Sequence, residues 1–345
     1  MTLLQCCNFS RYKALALHII ICMIASVTFG QNNIEPPTLM NYRNLETFVD
    51  TINSDYLKQA VNFQVGIPEK YYSYSPIVIT LDGERQFNFV SGTVDMLADQ
   101  SLSSYIDPCI IIGIGSVQRS DYYLFEQAAN FRQCLFKEIL PEIRSKYDNL
   151  GPVILVGHSN GAEFVMNTLF FEVEGINAHI LVSPMLDTNS LSQICYADKK
   201  AVPGAKEKGV LYAELALKNN LIVSAYSTIR DASIRKNSLI LMDSIFQTTE
   251  NDLYHSKIFD HGDHITQFFQ ALPDGLITTF RTLKRLNKNQ LDELKSLTKP
   301  DEVSEYLCAI KKSKLKTFNY DFYLPLDQLS QLSWFFHEKK AFDVE

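Results

Sequence analysis

The sequence lacks any dense cluster of lysine and arginine, and its 345 residues carry a formal net charge of −7. A nucleic-acid partner needs several basic side chains close together, because they must neutralise a run of phosphates. The composition therefore argues against nucleic acid and favours a small molecule or a neutral polymer. The sequence also lacks internal repeats and low-complexity segments. What remains is a globular chain that can bury one sizeable core.

Long apolar runs are scarce, and the longest covers residues 14–29. Arg11 and Lys13 precede it and polar residues follow Gly30, which is the pattern of a secretory signal peptide. We expect cleavage near Gly30; an uncleaved N-terminal anchor is the alternative, because the run approaches the length of a membrane span. No second run is long enough to cross a bilayer. The sequence predicts a secreted or periplasmic protein with no stable membrane insertion after cleavage.

Cysteine is infrequent, and three of the seven cysteines lie within the predicted signal peptide. The others are Cys109, Cys134, Cys195 and Cys308. In an oxidising compartment these four allow one or two disulfides, in three full pairings. Buried thiols are the alternative. Their spacing matches no metal site, and we expect neither a metal nor an organic cofactor.

Apolar runs alternate with helical patterns along the chain. Strands are predicted at residues 60–68, 76–81, 109–115, 154–156, 179–182, 221–226 and 254–259. Helices are predicted at residues 89–98, at 125–147, where apolar positions recur every four residues, and directly after residue 161. Residues 38–59 are predicted to be helical or irregular. The alternation predicts an α/β protein with a mainly parallel sheet, helices on both faces and active groups at the carboxyl ends of the strands.

The composition changes after residue 282, where lysine, glutamate and leucine dominate. We expect a helical C-terminal extension there. The predicted organisation is a signal peptide over residues 1–30, one α/β domain over residues 31–285 and the extension over residues 286–345.

One pentapeptide at the end of a predicted strand has the pattern Gly-x-Ser-x-Gly: Gly157-His158-Ser159-Asn160-Gly161. A helix-forming segment follows at once. A sharp strand-to-helix turn of this kind holds a serine hydroxyl clear of the sheet, and glycines let the backbone pass close by. Ser159 is the leading candidate for a catalytic nucleophile.

A serine nucleophile needs a base, and histidine is the usual one. The loop Asp260-His261-Gly262-Asp263-His264 follows the last predicted strand and reaches the same edge of the sheet as Ser159. We favour His264 over His261, because His264 opens the helix that follows. Asp263 is suited to cap that helix.

A third group, an acid, usually orients the base. Asp231 follows the strand that ends near residue 226, and Asp187 follows the preceding strand. We favour Asp231. A helix cap, a surface pair with Arg230 or Arg235, and a Ser-His dyad without an acid stay open as alternatives.

The reaction also needs donors aimed at the developing oxyanion. The backbone N–H of Asn160 is one candidate. The second is the N–H of Glu84 or of Gly83, in the turn after the strand that ends at Leu81. The alternative is that Asp82-Gly83 simply makes a good turn.

Several segments together resemble one esterase family of the α/β-hydrolase superfamily. It includes esterase D, enterobactin-type siderophore esterases, feruloyl and acetyl-xylan esterases and mycolyltransferases. The matching segments occur in family order between residues 50 and 285: residues 61–68, 79–83, 111–114, 119–122, 136–143, 157–162, 183–184 and 262–264.

The resemblance implies an α/β-hydrolase fold, Ser159 as nucleophile, His264 as base and the acid in the loop that contains Asp231. Arg119 would bind a substrate carboxylate or phenolate, or pair with Asp121. The expected activity is a serine esterase that forms an acyl-enzyme from a siderophore, carbohydrate or other small ester. The alternatives are an acyltransferase of the same fold and a catalytically inactive, hydrolase-fold binding protein.

Overall fold

The computed structural model of the chain describes residues 45–98, 105–115, 123, 125–170, 175–185, 221–246 and 253–338. The described residues fall into two compact units, which divide in sequence between Phe280 and Arg281. In these segments, no helix combines the length and the hydropathy needed to span a membrane. The predicted signal peptide, Arg119, Asp187 and Cys195 lie outside the described residues.

Within the described residues, the first unit contains an eight-stranded sheet with the order β1-β2-β4-β3-β5-β6-β7-β8. The strands are β1 Leu45–Ser54, β2 Gln59–Pro68, β3 Ile77–Leu81, β4 Ile110–Ile114, β5 Val153–His158, β6 Ala178–Val182, β7 Ile222–Thr228 and β8 Tyr254–Phe259. The pairs β1–β2 and β2–β4 are antiparallel, and every other pair is parallel. The predicted mainly parallel sheet is confirmed.

Helices cover both faces of this sheet, as predicted. They are α1 Gly83–Ala98, α2 Phe125–Gln133, a π-helical segment Cys134–Ile139, α3 Leu140–Lys146, α4 Asn160–Phe170, α5 Ser233–Phe246 and α6 Gln267–Lys284. Side chains of α2 to α5 form one apolar core with alternate strand residues such as Ile79 and Leu155. On the other face, Phe87 of α1 lies against β4, and α6 approaches Ile180 of β6. The central strands are buried on both faces because helices pack against each of them.

The edge strand β1 corrects the sequence prediction, which made residues 38–59 helical or irregular. Leu45–Ser54 is a ten-residue strand paired with β2 along its full length. Most of its side chains are exposed or half-buried, so both of its faces carry polar residues and the apolar alternation is weak. Hydrogen bonds to β2 pair the backbone N–H and C=O groups on one side of β1. A pairing between two strands leaves no pattern in the local sequence, so it could not be predicted.

Two helices also differ from their predicted form. The helix predicted at residues 89–98 starts earlier, at Gly83, since Gly83 packs so closely on β4 that a Cβ would lie 2.5 Å from the carbonyl carbon of Gly113. The helix predicted at residues 125–147 contains the π-helical segment Cys134–Ile139. A period of four residues exceeds the 3.6 of an α-helix, and a π-helical turn accommodates it.

The described cysteines are not joined to one another by any disulfide. The Cys109 thiol donates to the carbonyl of Asp107 at 3.0 Å. Burial raises the pKa of the Cys134 thiol to about 12. Cys109 and Cys134 are therefore buried thiols in this structure, in line with one of the two alternatives drawn from the sequence.

The second unit consists of helices over its described residues, namely α7 Lys288–Ser296, α8 Pro300–Phe318 and α9 Leu326–Glu338. Lys314 of α8 is buried, and its ammonium group donates to the carbonyls of Thr282, Leu283 and Arg285. A cation is favourable at these carbonyls because they end a helix. Burial nevertheless lowers the pKa of Lys314 to about 8.

Candidate active site

Ser159 occupies a sharp turn between β5 and α4. Its φ is +59°, in the left-handed region that side chains other than glycine rarely adopt. The turn is fixed at both ends, because the Ser159 N–H donates to the carbonyl of Val182 at 2.9 Å and its carbonyl accepts from the N–H of Glu163 at 3.1 Å. The sequence thus places one strained serine at the carboxyl end of a central strand, as the Gly-x-Ser-x-Gly pattern predicts.

Close backbone packing requires a glycine at the first of the two flanking positions, Gly157. A Cβ on Gly157 would lie 2.3 Å from the carbonyl oxygen of Gly161, which is closer than any real contact. A Cβ on Gly161 would lie 3.4 Å from Cβ of Leu81, so α4 passes close to the end of β3. The helix can therefore start directly after Ser159 only because Gly157 lacks a side chain, whereas a Cβ at Gly161 would make an ordinary van der Waals contact.

His264 lies in the loop that follows β8, and that loop is anchored on both sides. Thr228 Oγ1 lies within hydrogen-bonding distance of the backbone carbonyls of His261 and Gly262, at 3.2 Å from each. Asp263 Oδ1 accepts from the N–H groups of Ile265 and Thr266, at 3.0 and 2.8 Å. Asp263 thus caps the turn of residues 264–266 that leads into the next helix. The following helix begins at Gln267, so His264 lies in the turn before that helix and does not open it.

His264 and Asp231 are hydrogen-bonded. Nδ1 of His264 donates to Oδ1 of Asp231 at 3.1 Å, with the histidine side chain 34% exposed and the aspartate side chain 1% exposed. Nδ1 also lies 3.0 Å from Oγ of Ser183, whose hydroxyl donates to the other carboxylate oxygen of Asp231. A proton on Nδ1 leaves Nε2 as the ring nitrogen that can accept one.

Asp231 is kept ionised despite its burial. Burial alone raises the pKa of a carboxyl group, but hydrogen bonds from Ser183, from Gln267 and from the N–H of Ala232 outweigh it, so the pKa lies below its ordinary value. Gln267 Nε2 donates to Oδ2 of Asp231 at 3.1 Å and to the carbonyl of His264 at 3.1 Å. One amide from the first residue of α6 therefore bridges the acid and the histidine loop.

His158, next to Ser159 in the chain, also supports the histidine loop. Its Nε2 donates to the carbonyl oxygen of His264 at 2.6 Å, and the two imidazole rings lie 4.8 Å apart, centroid to centroid. This contact joins the serine turn to the loop that carries His264.

Arg235 of α5 contacts the hydroxyl of Ser159 directly. Its Nη2 donates to Oγ of Ser159 at 3.2 Å, and its Nη1 donates to the carbonyl of Ser183. In the described part of the chain, no hydrogen bond joins Oγ of Ser159 to His264. From the sequence, Arg235 was a candidate only for a surface pair with Asp231, whereas in the structure it contacts the serine.

The two N–H groups predicted to stabilise an oxyanion lie at helix starts. Asn160 is the first residue of α4, and Glu84 is the second residue of α1. Both helices begin at the carboxyl edge of the sheet, after the neighbouring strands β5 and β3. The first N–H groups of a helix have no carbonyl acceptor within it and carry a partial positive charge, which suits them to an anion. The structure is silent on Arg119, which lies outside the described residues.

In the described ranges, no group of three or more histidine, cysteine, aspartate or glutamate side chains is arranged to hold a metal ion. Ser183, Gln267 and Arg235 are the site residues that sequence reasoning missed. Ser183 belongs to the motif Ser183-Pro184, and Gln267 lies three residues after the motif Gly262-Asp263-His264. No local sequence pattern shows that the serine or the amide contacts Asp231, or that the arginine contacts Ser159.

No protein-family model matches the chain, and no curated protein matches its sequence. The sheet order, the helices on both faces and the strand-to-helix turn at Ser159 are those of the α/β-hydrolase fold. The fold implied by the sequence resemblance is therefore confirmed.

Three solved structures illustrate this likeness. An IroE-like serine hydrolase from Shewanella oneidensis has a TM-score of 0.61 and 18% identity, over 86% of this chain and 95% of that one. The siderophore hydrolase EstB from Aspergillus nidulans has a TM-score of 0.52 and 17% identity, over 71% of this chain and 97% of that one. Enterochelin esterase from Shigella flexneri has a TM-score of 0.53 and 14% identity, over 72% of this chain and 62% of that one. At these identities the likeness shows the fold.

Proposed function

We propose that the protein is a serine esterase with Ser159 as nucleophile, His264 as base and Asp231 as the acid that orients the base. One observation carries the proposal: a serine with φ of +59° lies at a strand-to-helix turn that is joined, through His158, to a loop in which His264 donates to a buried aspartate. A structural serine has no need of that arrangement, whereas a nucleophile does.

The reaction proceeds in two steps. Nε2 of His264 takes the proton of the Ser159 hydroxyl while Oγ bonds to the ester carbonyl carbon. The bond from that carbon to the alkoxy oxygen then breaks, and the alcohol leaves with the proton from His264. In the second step a water molecule gives a proton to Nε2 of His264 while its oxygen bonds to the acyl carbon. The bond from that carbon to Oγ of Ser159 then breaks, Oγ takes the proton back from His264, and the carboxylic acid leaves.

Each supporting group has a separate task. The N–H groups of Asn160 and Glu84 stabilise the negative charge on the carbonyl oxygen in both steps, and removal of one such donor typically costs about a hundredfold or more in rate. Asp231 holds the tautomer of His264 that leaves Nε2 unprotonated, and it stabilises the imidazolium that forms. Its lowered pKa keeps it ionised for that purpose.

The substrate class in this proposal is a small ester. Proteins with similar structures are named siderophore hydrolase, ferulic acid esterase and enterochelin esterase, and these names support a siderophore, carbohydrate or other small carboxylic ester here. The proposal keeps the organisation inferred from the sequence, with the activity in residues 31–285 and export directed by residues 1–30. The location it implies is secreted or periplasmic.

Turnover of a panel of 4-nitrophenyl esters tests the proposal. The wild-type protein is expected to release nitrophenol, and Ser159→Ala is expected to lower kcat by roughly three orders of magnitude or more. Ser296→Ala is the matched control, because Ser296 is exposed on α7 and belongs to the other compact unit. Turnover at the wild-type rate in Ser159→Ala, or no turnover by the wild-type protein, would overturn the proposal.

A further inference from the structure

Arg235 brings a positive charge to the hydroxyl that the proposed reaction uses. It lies in the first turn of α5, half-buried, with Nη2 3.2 Å from Oγ of Ser159. Its Nη1 donates to the carbonyl of Ser183, a residue held at the end of β6 with a φ of +58°. Two hydrogen bonds from one planar group fix both its position and its orientation beside Ser159.

The strand order places Arg235 on the side of Ser159 away from one of the proposed oxyanion donors. β3, which leads into Glu84, neighbours β5 on one side, whereas β6 and then β7, which leads into α5, lie on the other. The guanidinium therefore approaches the reacting centre from the side of β6 and β7. It is placed to contact a different part of the substrate from the carbonyl oxygen that the Glu84 N–H would bind.

The acyl chain is the part of the substrate that remains bonded to Ser159, beside Arg235, after the alcohol has left. In the proposed reaction the acyl carbon bonds to Ser159 Oγ, the atom that Arg235 already contacts. The alcohol leaves after the first step, but the acyl chain stays next to the guanidinium throughout the acyl-enzyme stage. A group on that chain, within a few bonds of the carbonyl, can replace the serine hydroxyl as the acceptor for Nη2.

We infer that Arg235 is a specificity-determining residue that binds a carboxylate on the acyl chain, so that the preferred substrates are half-esters of short dicarboxylic acids. This inference rests on the proposed function and specifies its substrate class. A carboxylate is a stronger acceptor than a neutral hydroxyl, so it can accept from the Nη2 arm of the arginine fork while the Nη1 arm stays on the carbonyl of Ser183.

A pair of substrates that differ only in that charge tests the inference. Mono(4-nitrophenyl) succinate carries the carboxylate, and its methyl ester has the same leaving group and chain without it. Wild type is expected to show a kcat/KM at least about tenfold higher for the acid. Arg235→Gln is expected to lose about tenfold to a hundredfold more on the acid than on the methyl ester, whose remaining Ser159-dependent turnover reports correct folding. Arg235→Lys, which keeps the charge without the fork, should retain part of the preference.

Lys236→Gln is the matched control, because it removes a neighbouring positive charge whose ammonium donates to the carbonyl of Ile229. It should keep the wild-type ratio. An equal preference in wild type and Arg235→Gln, or a wild-type preference for the methyl ester, would overturn the inference while Ser159-dependent turnover upholds the proposed function.

Failure of the proposed function and failure of the inference about Arg235 give different results. If neither ester is hydrolysed, the proposed function fails, and binding of monomethyl succinate to Ser159→Ala by titration calorimetry decides the inference. Binding that Arg235→Gln weakens at least about tenfold supports it, and binding that is undetectable or unaffected contradicts it.

Discussion

Two histidines of the first unit lie in opposite environments, one at the carboxyl edge of the sheet and one in its interior. His264 is partly exposed at the edge and donates to Asp231. His179 of β6 is 1% exposed, lies between Leu155 and Val223 of the neighbouring strands, and has no hydrogen-bond partner for either ring nitrogen among the described residues. Burial lowers the pKa of His179 to about 3, from an ordinary value of 6.5.

The contrast shows what separates a candidate catalytic histidine from one that fills space. The ring of His264 has an ionised partner on one nitrogen, which sets the tautomer and leaves the other nitrogen able to accept a proton. The ring of His179 stays neutral because nothing compensates its charge. Mutations on the two sides of this comparison should therefore change different properties: catalysis at the edge and acid stability in the interior.

The largest effect is expected for His264→Ala. Loss of the base should lower kcat for ester hydrolysis between about a thousandfold and a million-fold. His261→Ala, in the same loop and exposed, should stay within about twofold of wild type, as surface substitutions usually do. Steady-state rates on 4-nitrophenyl acetate measure both variants. Wild-type activity in His264→Ala would remove it as the base, and a loss confined to His261→Ala would transfer the role.

Asp231→Asn should have a smaller but still large effect on catalysis. An amide has no charge to stabilise the imidazolium, and it favours the tautomer with a proton on Nε2, so kcat is expected to fall about a hundredfold to ten-thousandfold. The control is Asp260→Asn, an exposed carboxylate at the end of β8. If Asp231→Asn keeps most of the wild-type kcat, the site works as a dyad and the acid is not needed.

The smallest effect is expected for His179→Leu, and it concerns stability. The folded pKa of about 3 lies below the unfolded value of 6.5, so the unfolded state takes up a proton first as pH falls and stability decreases between these two values. From pH 6.5 to pH 5 this histidine should cost wild type about 2 kcal/mol.

Urea unfolding at pH 7.5 and at pH 5 measures that cost. His179→Leu should lose less stability between the two conditions than wild type, with activity at neutral pH unchanged. His337→Leu, which removes an exposed histidine from α9, should behave like wild type. An identical loss in His179→Leu and wild type would show that His179 does not carry the acid sensitivity.

The central strands and the main candidate residues could be predicted from the sequence because their signals are local. β3, β4 and β5 are continuous apolar runs buried on both faces. The Gly-x-Ser-x-Gly pattern indicated Ser159, and positions in the loops after predicted strands indicated Asp231 and His264. The edge strand β1 could not be predicted, since its stability comes from pairing with β2 and its side chains are largely exposed.

Local sequence patterns also could not predict the roles of Arg235, Ser183 and Gln267. Each depends on a contact between elements that lie far apart in the chain: Arg235 with Ser159, Ser183 with Asp231, and Gln267 with Asp231. Hydrogen bonds of this kind form only after the sheet has brought the ends of its strands together. Residue type and spacing carry no information about them.

Ser159, at the carboxyl edge of the sheet, is the nucleophile in the proposed reaction. The most direct measurement is to treat the protein with a fluorophosphonate, which phosphonylates activated serines, and to map the modified peptide by mass spectrometry. We expect one adduct, on the peptide that contains Ser159, and no adduct in Ser159→Ala. An adduct on another serine, or none in a protein that hydrolyses esters, would contradict it.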